Sequence, residues 1–503
     1  MSNHQHLTVI DMGIRTHQEP IVFMRADCPI CRAEGFNASS RVSVSFGDRH
    51  IIATLDVVTN DILPVEHIGF SEIALQRLGV TDGDNVGIGH APLVESIGAV
   101  RKKIFGHRLN EAEIANIIGD IHGHRYRDVE IASFLTICAG NRLDLREITD
   151  LTRAMVACGK RLIWPNHERI FDKHCIGGLP GNRTTPIVVS IVSSAGLVIP
   201  KTSSRAITSP SGTADTMETL TNVELDLHHI QSVVEHTGAC LAWGGAVNLS
   251  PADDLLIRVE RTLDLDGEGQ LIASVLSKKI AAGATDVVID IPVGPTAKVR
   301  TEHDAKRLTE LFTKVGEALA IHVRCVVTDG RNPVGFGIGP VEEARDVLAV
   351  LQCLDEAPRD LRERALLLSA HLLDMANGYG LDTAVSTAEK LLDNGAAWHK
   401  FLTIAAAQGG LKKLPDGDLY HHTELVSRDG MLMSIDNRRL SRLAKLAGAP
   451  EDLGAGLRLY CNVGDRLRVG DKLFTLYSDS EGEKDYALEF FRANSDMFEF
   501  GEE

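Results

Sequence analysis

Apolar residues change their spacing along the chain, and each change predicts a different kind of element. In "RVSVSFGDRHIIATLDVV" Val42, Val44 and Phe46 alternate with polar neighbours, Gly47-Asp48 supplies a turn, and a second apolar run follows. Period-two spacing on either side of a Gly-Asp turn predicts a β-hairpin. "LGVTDGDNVGI" adds another such turn leading into a strand, so residues 1–90 read as an N-terminal β domain. From about residue 92 the period lengthens. In "NEAEIANIIGDI" Ile114, Ile117, Ile118 and Ile121 share one helical face behind an Asn110 cap. "DVEIASFLTICAG" predicts a helix stopped by Gly140, and "DLREITDLTRAMVACG" one opened by Asp144 and Glu147 at capping-box spacing. Short links between helices predict antiparallel neighbours. The similar pattern of "ADDLLIRVE" and "LIASVLSKKIAAG" joins 248–283 to 92–165 in one helical domain.

Between and after these segments, strand and helix patterns alternate. "LVIPKTSS", "TDVVIDIPVG" and "HVRCVVTD" read as strands, and "EHDAKRLTELFTKVGEALA" and "PVEEARDVLAVLQCL" as helices. Alternation of this kind predicts a mainly parallel sheet covered by helices, here over 166–247 and 284–409. "AGLRLYCNVGDRLRVGDKLFTLYS" returns to strands with two Gly-Asp turns, so 410–503 reads as a C-terminal β-rich α+β piece. The expected class is therefore α/β: a helical domain and a larger, mainly parallel α/β domain, flanked by an N-terminal β domain and the C-terminal piece.

Composition narrows what such a chain does. With 503 residues it is long enough for two to four domains. A formal net charge of -17 argues against a nucleic-acid partner or an anionic membrane surface, though not against a local cationic pocket. No secretory segment is expected, and no apolar run reaches the roughly 18 residues of a membrane helix. Nine scattered cysteines suit a reducing cytoplasm. Cys28 and Cys31 form a single CPIC, which reads as a turn in the β domain rather than as half of a metal site; no metal is expected.

The candidate chemistry lies between Asp172 and Leu220, where two clusters of Gly, Ser and Thr bracket an apolar run and carry cations at Lys173, His174, Lys201 and Arg205. Thr184-Thr185 followed by Pro186 predicts a helix start with threonine as cap and proline at the first helical position, and Gly196 predicts its end. Gly177, Gly178 and Gly181 permit close backbone approach to a ligand. The free N–H groups of a helix start favour an anion, and Lys173 adds a full charge. Ser203, Ser204 and Arg205 follow a strand, and Ser209, Ser211, Gly212 and Thr213 precede a helix, so a second donor-rich loop is expected beside the first. Both would lie at the carboxyl edge of the sheet. Either cluster alone is ordinary turn and cap chemistry; together with the cations they point to phosphate. No GxxxxGK[ST] occurs, so a Walker-type loop is not expected.

"DKHCIGG", "PKTSSRAITSPSGTADTME", "SPADDLLIRVE", "LIASVLSKKIAAG", "GFGIGPVEEARDVL" and "NGAAWHKFLTIAAAQGG", in this order, resemble the thymidine/pyrimidine-nucleoside phosphorylase family from about Leu93 to the C-terminus. The extra N-terminal β domain is similar to that of its AMP phosphorylase branch and longer thymidine-phosphorylase-like relatives. The resemblance implies a pentosyltransferase without a cofactor, with inorganic phosphate as co-substrate: thymidine and phosphate give thymine and 2-deoxyribose 1-phosphate. An alternative is phosphorolysis of AMP to adenine and ribose 1,5-bisphosphate. The resemblance also implies a homodimer or higher homo-oligomer. Carried over by motif, Lys173, Ser203, Thr213 and either Thr184 or Thr185 match phosphate-binding positions, and Ser274 and Lys278 match base-binding ones. His174 is positioned to donate to a pyrimidine oxygen or to orient Lys173. Cys175 stands where pyrimidine-specific members have serine, and Glu260 where they have arginine, with Arg261 one place on. In the AMP branch the matching nucleotide-binding positions are Gly178, the run Ser204, Arg205, Ala206, Ile207, Thr208 and Ser209, then Thr213, Ser274 and Lys298, with Asp266 as proton donor. Two further readings share the fold. A phosphoribosyltransferase of the anthranilate type would need an acidic Mg²⁺ motif beside the Gly-rich loop, which is not seen. A catalytically silent nucleotide-binding protein would not need the retained Lys173, Ser203, Thr213, Ser274 and Lys278.

Overall fold

In the computed structural model, residues 5–16, 19–206, 209–263, 265, 267–415 and 419–501 are described. The chain divides into two compact units, Met1–Arg101 with Asp120–Glu130, and Lys102–Gly119 with Ile131–Glu503.

The first unit is built on a closed six-stranded barrel. Around it the strands run Gln5–Asp11, His67–Phe70, Ile21–Arg25, Arg49–Val58, Ser40–Phe46 and Asn85–His90. The expected hairpin is present: Ser40–Phe46 pairs antiparallel with Arg49–Val58, Val44 opposite Ile51. Its alternation has the predicted cause, since Val42 and Val44 are fully buried in the barrel core. Cys28 and Cys31 join that core at the start of the short helix Pro29–Ala33. There the Cys31 thiol donates to the Phe36 carbonyl at 3.4 Å.

Within the second unit, the helix Leu145–Cys158 opens on the predicted capping box: Asp144 accepts from the Glu147 N–H at 2.9 Å while Glu147 accepts from the Asp144 N–H at 3.1 Å. Helices Pro251–Leu263 and Glu268–Ala281 pack against it, as their shared apolar pattern predicts. The parallel sheet is split. Phe171–Cys175, Asp286–Val293 and His322–Asp329 form one three-stranded parallel sheet, with Asp286–Val293 in the centre. Ile199–Ser203 and Ala239–Trp243 form a separate parallel pair. The Phe171 N–H donates to the Val198 carbonyl at 2.8 Å, which sets the two sheets side by side. The donor-rich loops therefore leave adjacent strand ends, Cys175 and Ser203.

The buried helix between them, Thr184–Ser194, starts two residues earlier than the Thr-Pro pattern predicts. Arg183 is its cap residue and Pro186 its third residue. The Thr184 hydroxyl is engaged by Lys173, and the Arg183 side chain is drawn into an ion pair, so neither serves as a cap. Ile187, Val188, Val189, Ile191 and Val192 are fully buried, against helices Arg359–Asn377 and Ala396–Ala407. C-terminal strands form two small antiparallel sheets, one of which includes Gly337–Ile338 from the α/β region. Among the described residues no helix is long and apolar enough to cross a membrane.

Candidate active site

Lys173 lies on the first parallel strand, opposite Val288, with its side chain buried to 1 % exposure. Its ammonium donates to the Thr184 hydroxyl at 2.7 Å and reaches the Thr185 hydroxyl at 3.5 Å. Among the described residues no carboxylate lies within ion-pairing distance of it. Burial pulls its pKa down; Cys175 and Asp290 oppose that fall, while Arg183 and Arg364 add to it. A buried amine whose hydrogen bonds go only to hydroxyls is a place where an anion is the missing partner.

Around it the first loop is held by close packing. Gly178 has φ of +92°, and a Cβ there would stand 2.5 Å from the Lys298 backbone nitrogen. The loop thus seats directly on the Lys298 segment, and only glycine allows it. Lys298 itself is half-buried. Cys175, at the strand end, receives a hydrogen bond from Asn182 Nδ2 at 3.3 Å. Burial, followed by Asp290, pushes its thiol up to about 12, so it is no nucleophile.

The second loop folds over the N-terminus of the short helix Thr213–Glu218. A Cβ on Gly212 would meet the backbone of Ser204, Arg205 and Ala206 at 2.6 to 2.7 Å. Asp215 fastens the same crossing, accepting from the N–H of Ala206 at 2.7 Å and of Gly212 at 2.8 Å. Ser203 closes the neighbouring strand on the same face as Lys201, and its Oγ is buried without a hydrogen-bond partner among the described residues. Ser209 donates to the Ser211 carbonyl at 2.8 Å, and Ser204 is exposed. Arg205 corrects the expectation of a phosphate-binding cation. Its guanidinium is committed to Glu218 at 2.5 Å, Glu224 at 3.1 Å and Asp215 at 3.3 Å, and lies over the Trp243 ring at 4.7 Å. Three carboxylates leave it little attraction for a further anion. Ile207, Thr208 and Asp266 lie outside the described residues.

Beneath the loops is a floor of lysines. Asp172, buried to 1 % exposure, pairs with Lys279 at 2.7 Å and with Lys201 at 3.4 Å. Burial lowers Lys201 to about 7, against the pull of Asp172 and with the help of Lys279. This carries a sign. Between about 7 and the free-lysine value, the unfolded chain holds a proton that the folded chain has released. The cost of burying Lys201 is thus fully present below about 7 and fades as pH rises. Lys201→Met is expected to gain stability over the natural protein most at pH 6.5 and least near pH 10, as measured by urea unfolding; a gain independent of pH would refute the assignment.

The other half of the site stands on two helices. Asp253 accepts from Ser274 Oγ at 2.8 Å and pairs with Lys278 at 2.6 Å. Burial works against the Lys278 ammonium, but Asp253, Asp254 and Glu260 outweigh it and raise its pKa, so it stays charged. Lys278 and its neighbour Lys279 point to different partners, Asp253 and the floor carboxylate Asp172. His174 sits where the two halves meet: burial, then the charges of Lys279, Lys201, Lys173 and Lys278, hold it well below its ordinary pKa. It is a neutral imidazole at neutral pH, able to donate one N–H.

The structure thus gathers Lys173, Thr184, Thr185, Gly178 and Lys298 on one side, Ser203 and Thr213 on adjoining loops, and Ser274 with Lys278 on the helical side. Sequence reasoning missed Asp172, Asp253 and Arg183. Each is defined by a partner far along the chain; the only local signal was that Asp172 and Arg183 adjoin singled-out residues.

A helical bundle joined to a parallel α/β domain, with two donor-rich loops at its strand ends, has the build of a glycosyl-transferring enzyme. Residues 98–159 match the family model described as "Glycosyl transferase family, helical bundle domain", and 167–398 match "Glycosyl transferase family, a/b domain". Residues 431–497 match "Pyrimidine nucleoside phosphorylase C-terminal domain". A protein of Acidovorax sp. (strain JS42) named "Putative thymidine phosphorylase 2" is 53 % identical over 490 residues, 97 % of this chain and 95 % of that relative. One of Legionella pneumophila named "Putative thymidine phosphorylase" is 49 % identical over 491 residues, 98 % of this chain and 95 % of the relative. In fold alone, anthranilate phosphoribosyltransferase from Thermus thermophilus is similar, with a TM-score of 0.51 at 19 % identity, over 62 % of this chain and 99 % of that one. The chain belongs to the thymidine/pyrimidine-nucleoside phosphorylase family.

Proposed function

We propose that the protein catalyses the phosphorolysis of thymidine to thymine and 2-deoxyribose 1-phosphate. The observation that carries this is the buried Lys173 ammonium, surrounded by hydroxyls and lacking a carboxylate partner among the described residues. A phosphate dianion supplies the missing charge and, held there, is aimed at C1′ of the nucleoside. A phosphate oxygen bonds to C1′ as the C1′–N bond breaks. The bond's electron pair leaves on the base, which then takes up the proton that the hydrogen phosphate gives up as it becomes the sugar ester. Positive charge that develops on the sugar in the transition state is stabilised by the adjacent dianion, and prior positioning removes much of the entropic barrier. Lys278, kept charged by Asp253, and the neutral His174 are the donors for the oxygens of the departing pyrimidine.

Ser203 Oγ is assigned to the phosphate because its hydroxyl is buried and, among the described residues, unpaired. Ser203→Ala is expected to raise KM for phosphate about tenfold, the worth of a hydrogen bond to a charged group. It should cost almost no stability, since no protein partner is lost; an unchanged KM would remove Ser203 from the cradle.

A second reading is favoured by the carboxylates Asp253, Asp254 and Glu260 around Lys278. Acceptors of this kind suit the exocyclic amine of adenine, and the substrate is then AMP, with Lys298 near the 5′-phosphate and Asp266 as proton donor. Purified protein given phosphate with thymidine or with AMP discriminates the two by chromatography of the free base. Phosphate-dependent thymine release is the expected result. Adenine release from AMP alone transfers the assignment to the nucleotide, and release of neither base overturns phosphorolysis.

A further inference from the structure

Arg183 has no place in the steps above, yet it connects the two donor loops. Its side chain is 10 % exposed. Nε donates to Glu343 Oε2 at 2.7 Å, Nη1 to the Thr213 hydroxyl at 2.8 Å and Nη2 to the Ser211 carbonyl at 2.7 Å. It stands immediately before the helix that begins with Thr184, so it belongs to the first donor loop while gripping the second. Glu343, on the helix Pro340–Leu351, is itself 1 % exposed and also accepts from Thr216 Oγ1 at 3.2 Å and the Gly339 N–H at 3.3 Å. The three donors leave the guanidinium in a planar fork and tie the 211–213 segment to the helix carrying Glu343, which a lysine ammonium on its flexible stem does not reproduce.

The polarity of these bonds matters more than their number. A hydroxyl has one proton, and a neighbouring cation can only donate to it. Because Arg183 donates to Thr213 Oγ1, the Thr213 proton is left to point elsewhere. Lys173 does the same to Thr184 from the other side. Each threonine is thereby held as a donor, the polarity an anion requires.

We propose that Arg183 is a positioning residue of the phosphate subsite: it fixes the spacing of the two loops and holds the Thr213 hydroxyl as a donor toward phosphate. This rests on the phosphate-binding reading of the cradle. Arg183 acts through Thr213 and does not touch the anion itself. The pair Arg183–Glu343 is the rivet, and its removal loosens phosphate without altering the base pocket on the helical side.

The test compares the full-length natural protein, Arg183→Lys, Thr213→Val and the double variant, by calorimetric titration with inorganic phosphate and by steady-state kinetics. Thr213→Val keeps the ion pair and the side-chain shape, so it reports on the subsite even where Arg183→Lys folds poorly. Each single variant is expected to weaken phosphate about tenfold, the worth of one hydrogen bond to a charged group. KM for the nucleoside should stay within about twofold. The double variant should be little worse than either single one, because residues acting as a unit are not additive. Phosphate affinity in Arg183→Lys equal to that of the natural protein overturns the proposal, as does a fully multiplicative loss in the double variant. A parallel rise in both KM values assigns Arg183 to general scaffolding and also overturns it. If the natural protein binds phosphate but releases no base from any nucleoside, the phosphorolysis reading falls while the role of Arg183 stands.

Discussion

Lys173→Ala is expected to lower kcat/KM for phosphorolysis by about 10³-fold while leaving a folded protein. The size follows from the position of the group. A charge aimed at a reacting oxyanion from a water-excluded site contributes on the order of 10²- to 10³-fold through preorganisation alone, and here the same ammonium also orients the Thr184 hydroxyl. The protein tolerates the change because burying Lys173 is unfavourable, as its lowered pKa records. Removing the amine relieves that cost, and Lys173→Met fills more of the vacated volume. Steady-state kinetics with varied phosphate, alongside thermal unfolding, separates the two effects. Activity close to that of the natural protein in either variant would eliminate Lys173 as the anion's principal partner, and with it the observation on which the proposed function stands.

The second large effect is on stability. Asp172 is the carboxylate shared by Lys201 and Lys279, and all three side chains are less than about 5 % exposed. It also accepts from the Lys173 backbone N–H at 2.6 Å, so it orders the strand that carries the cradle lysine. Asp172→Ala leaves the Lys279 ammonium, and below about pH 7 that of Lys201, without a counter-charge. Breaking a buried pair from one side costs about 3–5 kcal/mol, a large share of the margin by which a protein stays folded. Urea unfolding should show this loss. The double variant Asp172→Asn with Lys279→Met should recover much of it, because charge and counter-charge leave together. A loss below about 1 kcal/mol for Asp172→Ala would mean that the lysines do not depend on that carboxylate.

What was readable in the sequence was local. The Asp144–Glu147 capping box, the hairpin around Gly47-Asp48 and the helical stripe of Ile114, Ile117, Ile118 and Ile121 each depend on residues within a few positions of one another, and each is present. The parallel strands and the two donor loops were also readable, because hydroxyls and glycines stand at strand ends. Local rules failed where distant side chains competed. Thr-Pro predicted the cap of the buried helix, yet Lys173 engages Thr184 and Glu343 engages Arg183, and the helix begins earlier. Arg205 read as a cation free for phosphate until Glu218, Glu224 and Asp215 arrived from the following segments. Asp253 is one of two adjacent aspartates, and nothing nearby in the chain marks it as the partner of Ser274 and Lys278, which lie on the following helix. Periodicity finds elements. It does not say which carboxylate meets which cation.

The strand Gly337–Ile338 belongs by sequence to the α/β region but pairs with Gly456–Leu459. Leu459 N–H also donates to the Phe336 carbonyl at 2.8 Å, and Arg458 pairs with Asp346 at 3.2 Å and Glu342 at 3.3 Å. Asp346 and Glu342 sit on the same helix as Glu343, the anchor of Arg183. The tail of the chain is therefore stitched to the helix that anchors Arg183. Trimming it away would not yield a smaller working enzyme: it would expose a raw sheet edge, remove the cation shared by Glu342 and Asp346 and slacken the very helix to which Arg183 is moored.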